Sequence, residues 1–131
     1  MITSVDTNVL LDFLTAAPNF GPSSAKSLQD AAGAGRLVVC EIVFAEVSGL
    51  FGSHREVADI LTQLGIYFDS LREESAHLAG QAFKSYRQAG GPRHRVIADF
   101  LIGAHAVLQA DRLLTRDRGY YRTYFPKLRL L

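Results

Sequence analysis

The fold class follows from one stretch near the start of the chain, Ile2-Thr3-Ser4-Val5-Asp6-Thr7-Asn8-Val9-Leu10. Residues 2–5 form a short run, apolar at both ends and β-branched, which predicts a strand that stops at Asp6. The apolar residues that follow favour a helix over residues 8–14. A strand that leads directly into a helix is the opening unit expected of an α/β domain.

The same alternation continues along the chain. Further strands are predicted at residues 36–40, 66–68, 112–115 and 128–131. Helices are predicted at residues 23–32, 42–51, 54–64, 73–88 and 96–110. The Ser23-Ser24 pair can cap the first of these helices. The helix at 96–110 is apolar nearly all round and is therefore expected to be buried. We expect an α/β fold, a single domain over residues 1–131 with a mostly parallel four- to five-stranded sheet flanked by helices on both faces.

Composition limits the size and setting of the protein. The chain has 131 residues, of which 48% are hydrophobic, so it can bury one substantial core but is too short for two ordinary domains. No stretch reaches the roughly 18 uninterrupted apolar residues of a membrane span, and the first residues carry no basic lead. The single cysteine, Cys40, lies in an apolar run and is expected to be a small core residue. We therefore expect a cytoplasmic protein without membrane association.

Charge is distributed unevenly along the chain. The net charge is only +1, but residues 1–83 carry −6 and residues 84–131 carry +7. This split suggests an anionic partner, such as a nucleic acid, near the C-terminal half. Solvated helix faces explain the same charges equally well.

Two acids follow predicted strands. Asp6 ends the first strand, and Asp117 comes two residues after the predicted strand 112–115. Ligands of an open α/β sheet bind in the crevice beyond the carboxyl ends of its strands. Asp6 and Asp117 can therefore face one crevice.

Two further acids interrupt apolar helical segments. Glu46 has helical spacing to Ile42, Val43 and Leu50, which places it on an apolar stripe. Glu41, by contrast, is explained as a carboxylate favoured by a helix N-terminus. Asp99 is the one acid in an otherwise apolar segment, residues 96–104, where an isolated buried carboxylate would cost several kcal/mol. A cap on a neighbouring helix or a pair with Arg95 explains Asp99 as readily as a metal site does.

Taken together, these acids favour a hard divalent cation. Crowded carboxylates repel each other unless a cation neutralises them, and an all-oxygen donor set suits Mg²⁺ or Mn²⁺. Zinc is disfavoured because the histidines show no recognised ligand spacing and there is only one cysteine.

Four segments together resemble PIN-domain proteins, particularly VapC-type toxins. They are Val5-Asp6-Thr7-Asn8-Val9-Leu10, Ile42-Val43-Phe44-Ala45-Glu46-Val47, Ala98-Asp99-Phe100-Leu101-Ile102-Gly103-Ala104-His105-Ala106 and Leu113-Leu114-Thr115-Arg116-Asp117-Arg118-Gly119-Tyr120-Tyr121. Their order, spacing and placement after predicted strands make the combined match specific, and it covers nearly the whole chain.

The resemblance implies a function and a set of site residues. Asp6, Glu46, Asp99 and Asp117 correspond to the acidic quartet of the family, with Asn8 and Thr115 as the polar residues that orient it. Family members cleave RNA with Mg²⁺ or Mn²⁺ and usually form homodimers. As toxins they are held inactive by a VapB-type antitoxin that covers the site.

Arginines near the predicted crevice can guide an RNA backbone toward the acids. The candidates are Arg93, Arg95, Arg116 and Arg118. For any one of them, an ordinary solvated position is the simpler explanation.

The sequence is compatible with several other functions. A haloacid-dehalogenase-like phosphatase also begins with a strand that ends in Asp, but it needs a second Asp where this chain has Asn8. A dinucleotide-binding domain lacks support because no G-x-G-x-x-G follows the first strand. A non-catalytic PIN module that binds RNA or protein is disfavoured by the intact quartet, because a binder has no need of four acids that repel each other. A DNA nuclease of related architecture and a housekeeping RNA-processing nuclease are open alternatives.

Overall fold

A computed structural model of the protein describes residues 1–92 and 95–131. The strands are β1 (Ile2–Val5), β2 (Arg36–Val39), β3 (Ile66–Phe68) and β4 (Arg112–Leu114). The helices are α1 (Thr7–Leu14), α2 (Gly21–Ala34), α3 (Glu41–Ser48), α4 (His54–Gln63), α5 (Glu73–Gln88), α6 (Ile97–Gln109) and α7 (Arg118–Tyr124).

The strands form one parallel sheet in the order β3-β2-β1-β4. Thr3 of β1 lies opposite Leu37 on one side and Arg112 on the other. Parallel strands are connected by right-handed crossovers, which place α1 to α4 on one face of this sheet and α5 and α6 on the other. The predicted α/β fold is confirmed, with four strands in the sheet.

The predicted fifth strand, residues 128–131, does not form as a strand. The segment makes a single parallel bridge between Leu130 and Leu113, supported by hydrogen bonds from Leu113 N–H to the Arg129 carbonyl and from Leu131 N–H to the Leu113 carbonyl. The segment therefore pairs with β4 at one position and does not add a strand to the sheet.

Helix boundaries and burial differ from prediction at two places. The helix α2 begins at Gly21, before the Ser23-Ser24 pair, and its N-cap Phe20 makes no side-chain cap bond. The sequence predicts burial nearly all round α6, but Ile97 and Leu108 are 42% and 46% exposed. Residues 102–106 of α6 are buried, so burial is concentrated in the middle of the helix.

The core lies between the sheet and its helices. It includes Val5 of β1, Val39 of β2, Leu113 of β4 and Phe100 of α6, and Cys40 is buried with them as predicted. Gly103 must be glycine, since a Cβ there would lie 2.4 Å from the Phe125 ring. Among the described residues, no helix combines the length and apolar character that crossing a membrane requires.

Glu41 occupies the helix N-terminus at which its charge is expected to be favoured. As the first residue of α3, it accepts hydrogen bonds from Leu71 N–H and from the Ser70 hydroxyl, each at 2.7 Å. Burial alone would raise the pKa of Glu41, but the hydrogen bonds from its own backbone, Leu71 and Ser70 outweigh it, and the pKa is lowered.

Glu41→Gln should reduce stability at neutral pH and have a smaller effect in acid. A lowered folded-state pKa means that the carboxylate stabilises the fold above its unfolded-state pKa, and that this contribution is lost as the pH falls through the folded value. We expect a difference below about 1 kcal/mol, because Glu41 is only partly buried and solvent still screens its charge. Urea unfolding over a pH series measures it, with exposed Glu74→Gln in the first turn of α5 as the control. A difference that is the same at every pH would contradict this explanation.

Candidate metal-binding active site

The candidate site lies at the carboxyl ends of β1 and β4. The chain leaves β1 toward β2 on one side, whereas β4 lies on the other side, so the loops that follow these two strands diverge. Such a switch in strand order opens a crevice at the edge of an α/β sheet. Asp6 follows β1 directly, and a hydrogen bond from its N–H to the Leu114 carbonyl, 2.9 Å long, holds it beside the end of β4.

Asp6 is the buried centre of the site. It accepts hydrogen bonds from Thr7 N–H and the Thr115 hydroxyl at 2.8 Å and from the Tyr121 hydroxyl at 3.0 Å. Its side chain is only 6% exposed. Burial raises the pKa of Asp6 despite these bonds, and the negative charge of Glu46 raises it further. The ionised form of Asp6 is therefore disfavoured, and a nearby cation would stabilise it.

Asn8 and Thr115 contact Asp6, as the resemblance implies. The Asn8 amide lies 3.4 Å from both Asp6 Oδ2 and Thr115 Oγ1. The Thr115 hydroxyl also accepts a hydrogen bond from Asp117 N–H at 3.0 Å. Thr115 therefore links the loop that carries Asp117 to the buried carboxylate of Asp6.

Glu46 does not lie on the apolar stripe of α3 that the sequence predicts. Its side chain is exposed, because Val43 and Val47 alone form the buried stripe and Leu50 lies beyond the end of the helix. The Thr7 hydroxyl donates a 2.7 Å hydrogen bond to Glu46. Since Thr7 also donates its N–H to Asp6, one residue orients both carboxylates.

Asp99 is half-buried in the first turn of α6, not deeply buried in an apolar segment. Its Oδ2 accepts a 3.1 Å hydrogen bond from Val96 N–H, so Asp99 caps its own helix. Neither a cap on a neighbouring helix nor a direct ion pair with Arg95 forms among the described residues. The second oxygen of Asp99 remains available for a ligand.

Asp117 is held by an arginine. Arg95 Nη1 lies 2.6 Å from Asp117 Oδ2, and the Arg95 guanidinium lies over the Tyr120 ring, 4.1 Å from its centre. Burial would lower the pKa of Arg95, but its hydrogen bond and charge interaction with Asp117, helped by the charge of Asp99, raise the pKa. Arg95 therefore supplies part of the positive charge that crowded carboxylates require.

The other predicted phosphate-guiding arginines occupy different positions. Arg116 forms a bidentate ion pair with Asp12 of α1, so it is engaged within the protein. Arg118 is exposed at the start of α7. Arg93 lies outside the described residues.

Two tyrosines belong to the site although the sequence pattern does not assign them to it. Tyr121 donates to Asp6, and the adjacent Tyr120 is buried with a hydroxyl that finds no hydrogen-bond partner among residues 1–92 and 95–131. Burial is the main cause that raises the pKa of Tyr120, followed by the negative charge of Asp99. The charges of Asp117 and Asp6 act in the same direction. The sequence signal for them is an aromatic pair one helical turn after Asp117.

The donor set fits a divalent ion, although the side chains do not yet close around one. Within the described ranges, no three Asp, Glu, His or Cys side chains form a group ready to hold a metal. In the same ranges, no Lys or Arg forms an ion pair with Asp6, Glu46 or Asp99. Carboxylates that form no ion pair among residues 1–92 and 95–131, with the Tyr120 hydroxyl that has no partner in the same ranges, are an arrangement that an oxygen-preferring cation would complete.

Solved structures with this fold belong to complexes described as VapBC and FitAB assemblies. VapBC2 from Rickettsia felis, bound to a DNA fragment from its promoter, contains a chain with 21% identity and a TM-score of 0.77, and the match covers 100% of this chain and 98% of that one. VapBC-1 from nontypeable Haemophilus influenzae gives 19% identity, a TM-score of 0.73 and coverages of 100% and 97%. FitAcB from Neisseria gonorrhoeae contains a chain with 22% identity and a TM-score of 0.63, and the match covers 100% of this chain and 96% of that one.

At these identities the structural matches establish the shared fold. No curated protein sequence matches the chain. The family model described as "PIN domain" matches residues 4–126, which include all the candidate acids. With this match over nearly the whole chain, and with a fold shared with chains of VapBC structures, the protein belongs to the PIN-domain family.

Proposed function

We propose that the protein is a Mg²⁺-dependent endoribonuclease of the VapC type, with Mn²⁺ as a substitute ion. The observation that carries the proposal is the crevice at β1 and β4, where Asp6, Glu46 and Asp99 have no paired cation among the described residues. Family membership and the VapBC-like fold support a nuclease, and the acidic oxygen donors favour metal-assisted hydrolysis.

Each of the four acids would be positioned toward the ion by a different contact. Asp6 and Glu46 would be held in place by Thr7, and the free oxygen of Asp99 would approach from α6. Asp117 would join them by sharing or leaving its contact with Arg95. When bound, a divalent ion stabilises charge on the scissile phosphate and makes an attacking water more acidic.

Other groups in the crevice bind and orient the substrate. The Tyr120 hydroxyl has no hydrogen-bond partner among residues 1–92 and 95–131, and it would donate to a phosphate oxygen if substrate binding opened access to it. Arg95 adds a positive charge beside it, held flat on the Tyr120 ring. Thr115 and Tyr121 favour the ionised form of Asp6 and fix its orientation, so that little rearrangement is needed during the reaction.

The proposal extends to partners. A VapB-type antitoxin and a homodimer are supported by the family resemblance and by neighbours solved as VapBC complexes. A cytoplasmic setting is consistent with one buried cysteine. Co-expression with the product of the adjacent gene tests the toxin assignment, because an antitoxin should co-purify and suppress cleavage. A housekeeping nuclease should be active without such a partner.

Cleavage assays test the reaction itself. Purified protein should cut single-stranded RNA in Mg²⁺ or Mn²⁺, lose the activity in excess EDTA and regain it when Mg²⁺ is restored. Duplex DNA and single-stranded DNA are the substrate controls. Decay that persists in EDTA would point to a contaminating nuclease, and binding of RNA without any cleavage would favour a non-catalytic PIN module.

A further inference from the structure

An open cavity lined by both polar and apolar side chains lies beside the acidic crevice. Its volume is about 450 Å³, between the first turns of α2 and the loop that follows β4. This volume is in the range of small-ligand sites. The residues that give the cavity its chemistry are Phe20, Ser23, Ser27, Thr115, Arg116 and Arg118.

One wall of the cavity is a preorganised stack of an arginine on an aromatic ring. The Arg116 guanidinium lies over Phe20, 4.1 Å from the ring centre. Asp12 fixes its orientation by accepting from Nε and from Nη2, the latter at 3.0 Å. Asp12 is itself buried and bonded to the Ser24 hydroxyl at 3.0 Å. Planar arginine and aromatic groups are the surfaces on which unpaired bases stack.

The remaining charge in the cavity is positive. Because Asp12 neutralises Arg116, Arg118 is the lining group whose charge is unmatched by any ion pair in the described parts of the chain. Asp30, also on α2, is paired with Lys26 at 2.8 Å. The first turn of α2 has no side-chain cap. The partial positive charge of a helix N-terminus favours an anion, as the charge of Arg118 does.

The cavity and the acidic crevice share Thr115. This residue lines the cavity and donates its hydroxyl to Asp6 at 2.8 Å. A nucleic acid whose scissile phosphate lay at the acids would therefore reach the cavity with an adjoining nucleotide.

We propose that this cavity binds a nucleotide that flanks the cleaved bond of single-stranded RNA. Its base would lie against the Phe20 and Arg116 stack, and its phosphate would contact Arg118 and the Ser27 hydroxyl, whereas the Ser23 hydroxyl donates to the Phe20 carbonyl at 3.1 Å. The proposal rests on the nuclease function above and names a recognition site for that substrate. It requires an unpaired base, because a base within a duplex cannot reach an aromatic platform.

Binding measured without metal tests the proposal separately from catalysis. Fluorescence anisotropy with a short labelled single-stranded RNA in EDTA should show weaker binding for Phe20→Ala and Arg118→Gln, each by about 10-fold, the scale of one stacked base or phosphate contact. Arg118→Gln should also reduce the slope of log affinity against log salt by about 1. Phe20→Leu keeps an apolar side chain at this half-exposed position but removes the ring, so it should bind as weakly as Phe20→Ala.

Matched controls decide whether the cavity is responsible. Arg122→Gln removes the same charge from α7 outside the cavity, and Phe68→Ala removes an exposed ring from β3. Both should bind RNA as the wild type does, and duplex RNA should show no Phe20 dependence. Equal losses in the controls, or no loss in the cavity variants, would overturn the proposal. So would a Phe20→Ala defect confined to antitoxin binding, or an effect of Arg118 without one of Phe20.

The two proposals fail in different ways. Wild-type protein that binds RNA through Phe20 and Arg118 but cuts nothing in Mg²⁺ would sink the nuclease function and leave the nucleotide site. Metal-dependent cleavage with unchanged RNA binding in both cavity variants would support the nuclease function and rule out the nucleotide site.

Discussion

Asp99→Asn should abolish metal-dependent cleavage while the fold is retained. The asparagine carbonyl can still accept the hydrogen bond from Val96 N–H, so the first turn of α6 keeps its cap. The negative charge that would hold the metal is lost. We expect cleavage to fall by about 10²–10³-fold, the scale of one preorganised electrostatic group. RNA cleavage assays measure the loss, and circular dichroism and thermal melting report the fold.

Asp59→Asn provides the matched control for Asp99→Asn. Asp59 is an exposed acid on α4 whose nearest cation, Arg55, lies 3.9 Å away. Its substitution removes the same charge from a helix outside the crevice and should leave cleavage unchanged. Full activity of Asp99→Asn would exclude Asp99 as a metal ligand. Unfolding of Asp99→Asn would shift the test to Glu46→Gln, whose side chain is exposed.

Mg²⁺ should raise the melting temperature of the wild-type protein by several degrees. An ion that binds only the folded state stabilises it by about 2.7 kcal/mol at 100 times its dissociation constant. Such a gain corresponds to a readily measured shift for a chain of this size. The physical reason is that Asp6, Glu46 and Asp99 carry negative charge without paired cations in the described structure.

The shift caused by Mg²⁺ should grow with pH. Burial, with the charge of Glu46, raises the pKa of Asp6, so its contribution to stability without metal is present at low pH and is lost as the pH rises through the folded-state value. A metal ion replaces the departing proton as the neutralising charge. Differential scanning fluorimetry with Mg²⁺, with EDTA and with NaCl at matched ionic strength measures the effect. Equal shifts with NaCl, or in Glu46→Gln and Asp99→Asn, would show general screening instead of a site.

Much of the fold can be predicted from local patterns. The strand that ends at Asp6 and the helix from Thr7 are both encoded in a few neighbouring residues, and Ser53 begins α4 with a side-chain cap that local chemistry favours. The segment 128–131 has the composition of a strand, but whether a strand forms depends on how it meets β4, and here the two pair at one position only. The sequence of the segment alone therefore does not determine whether it pairs as a strand.

The candidate site is only partly predictable for a similar reason. The sequence singles out all four acids as candidates, because each follows a predicted strand or interrupts a predicted apolar helix. Their roles as metal ligands stay predictions. Which side chains pair with which cannot be inferred from the sequence. The bonds from Tyr121 to Asp6 and from Arg116 to Asp12 join residues 115 and 104 positions apart. Spacing along a helix gives the face on which a residue lies, whereas these contacts depend on how distant elements meet.

The ion pair between Asp12 and Arg116 has a mechanical consequence. Arg116 and Asp117 are consecutive, so the clamp on one sets the position of the other. The pair therefore limits how far the backbone can move at the residue whose carboxylate contacts Arg95. A base resting on the fixed guanidinium would lie on a surface that a single peptide bond joins to an acid of the candidate site.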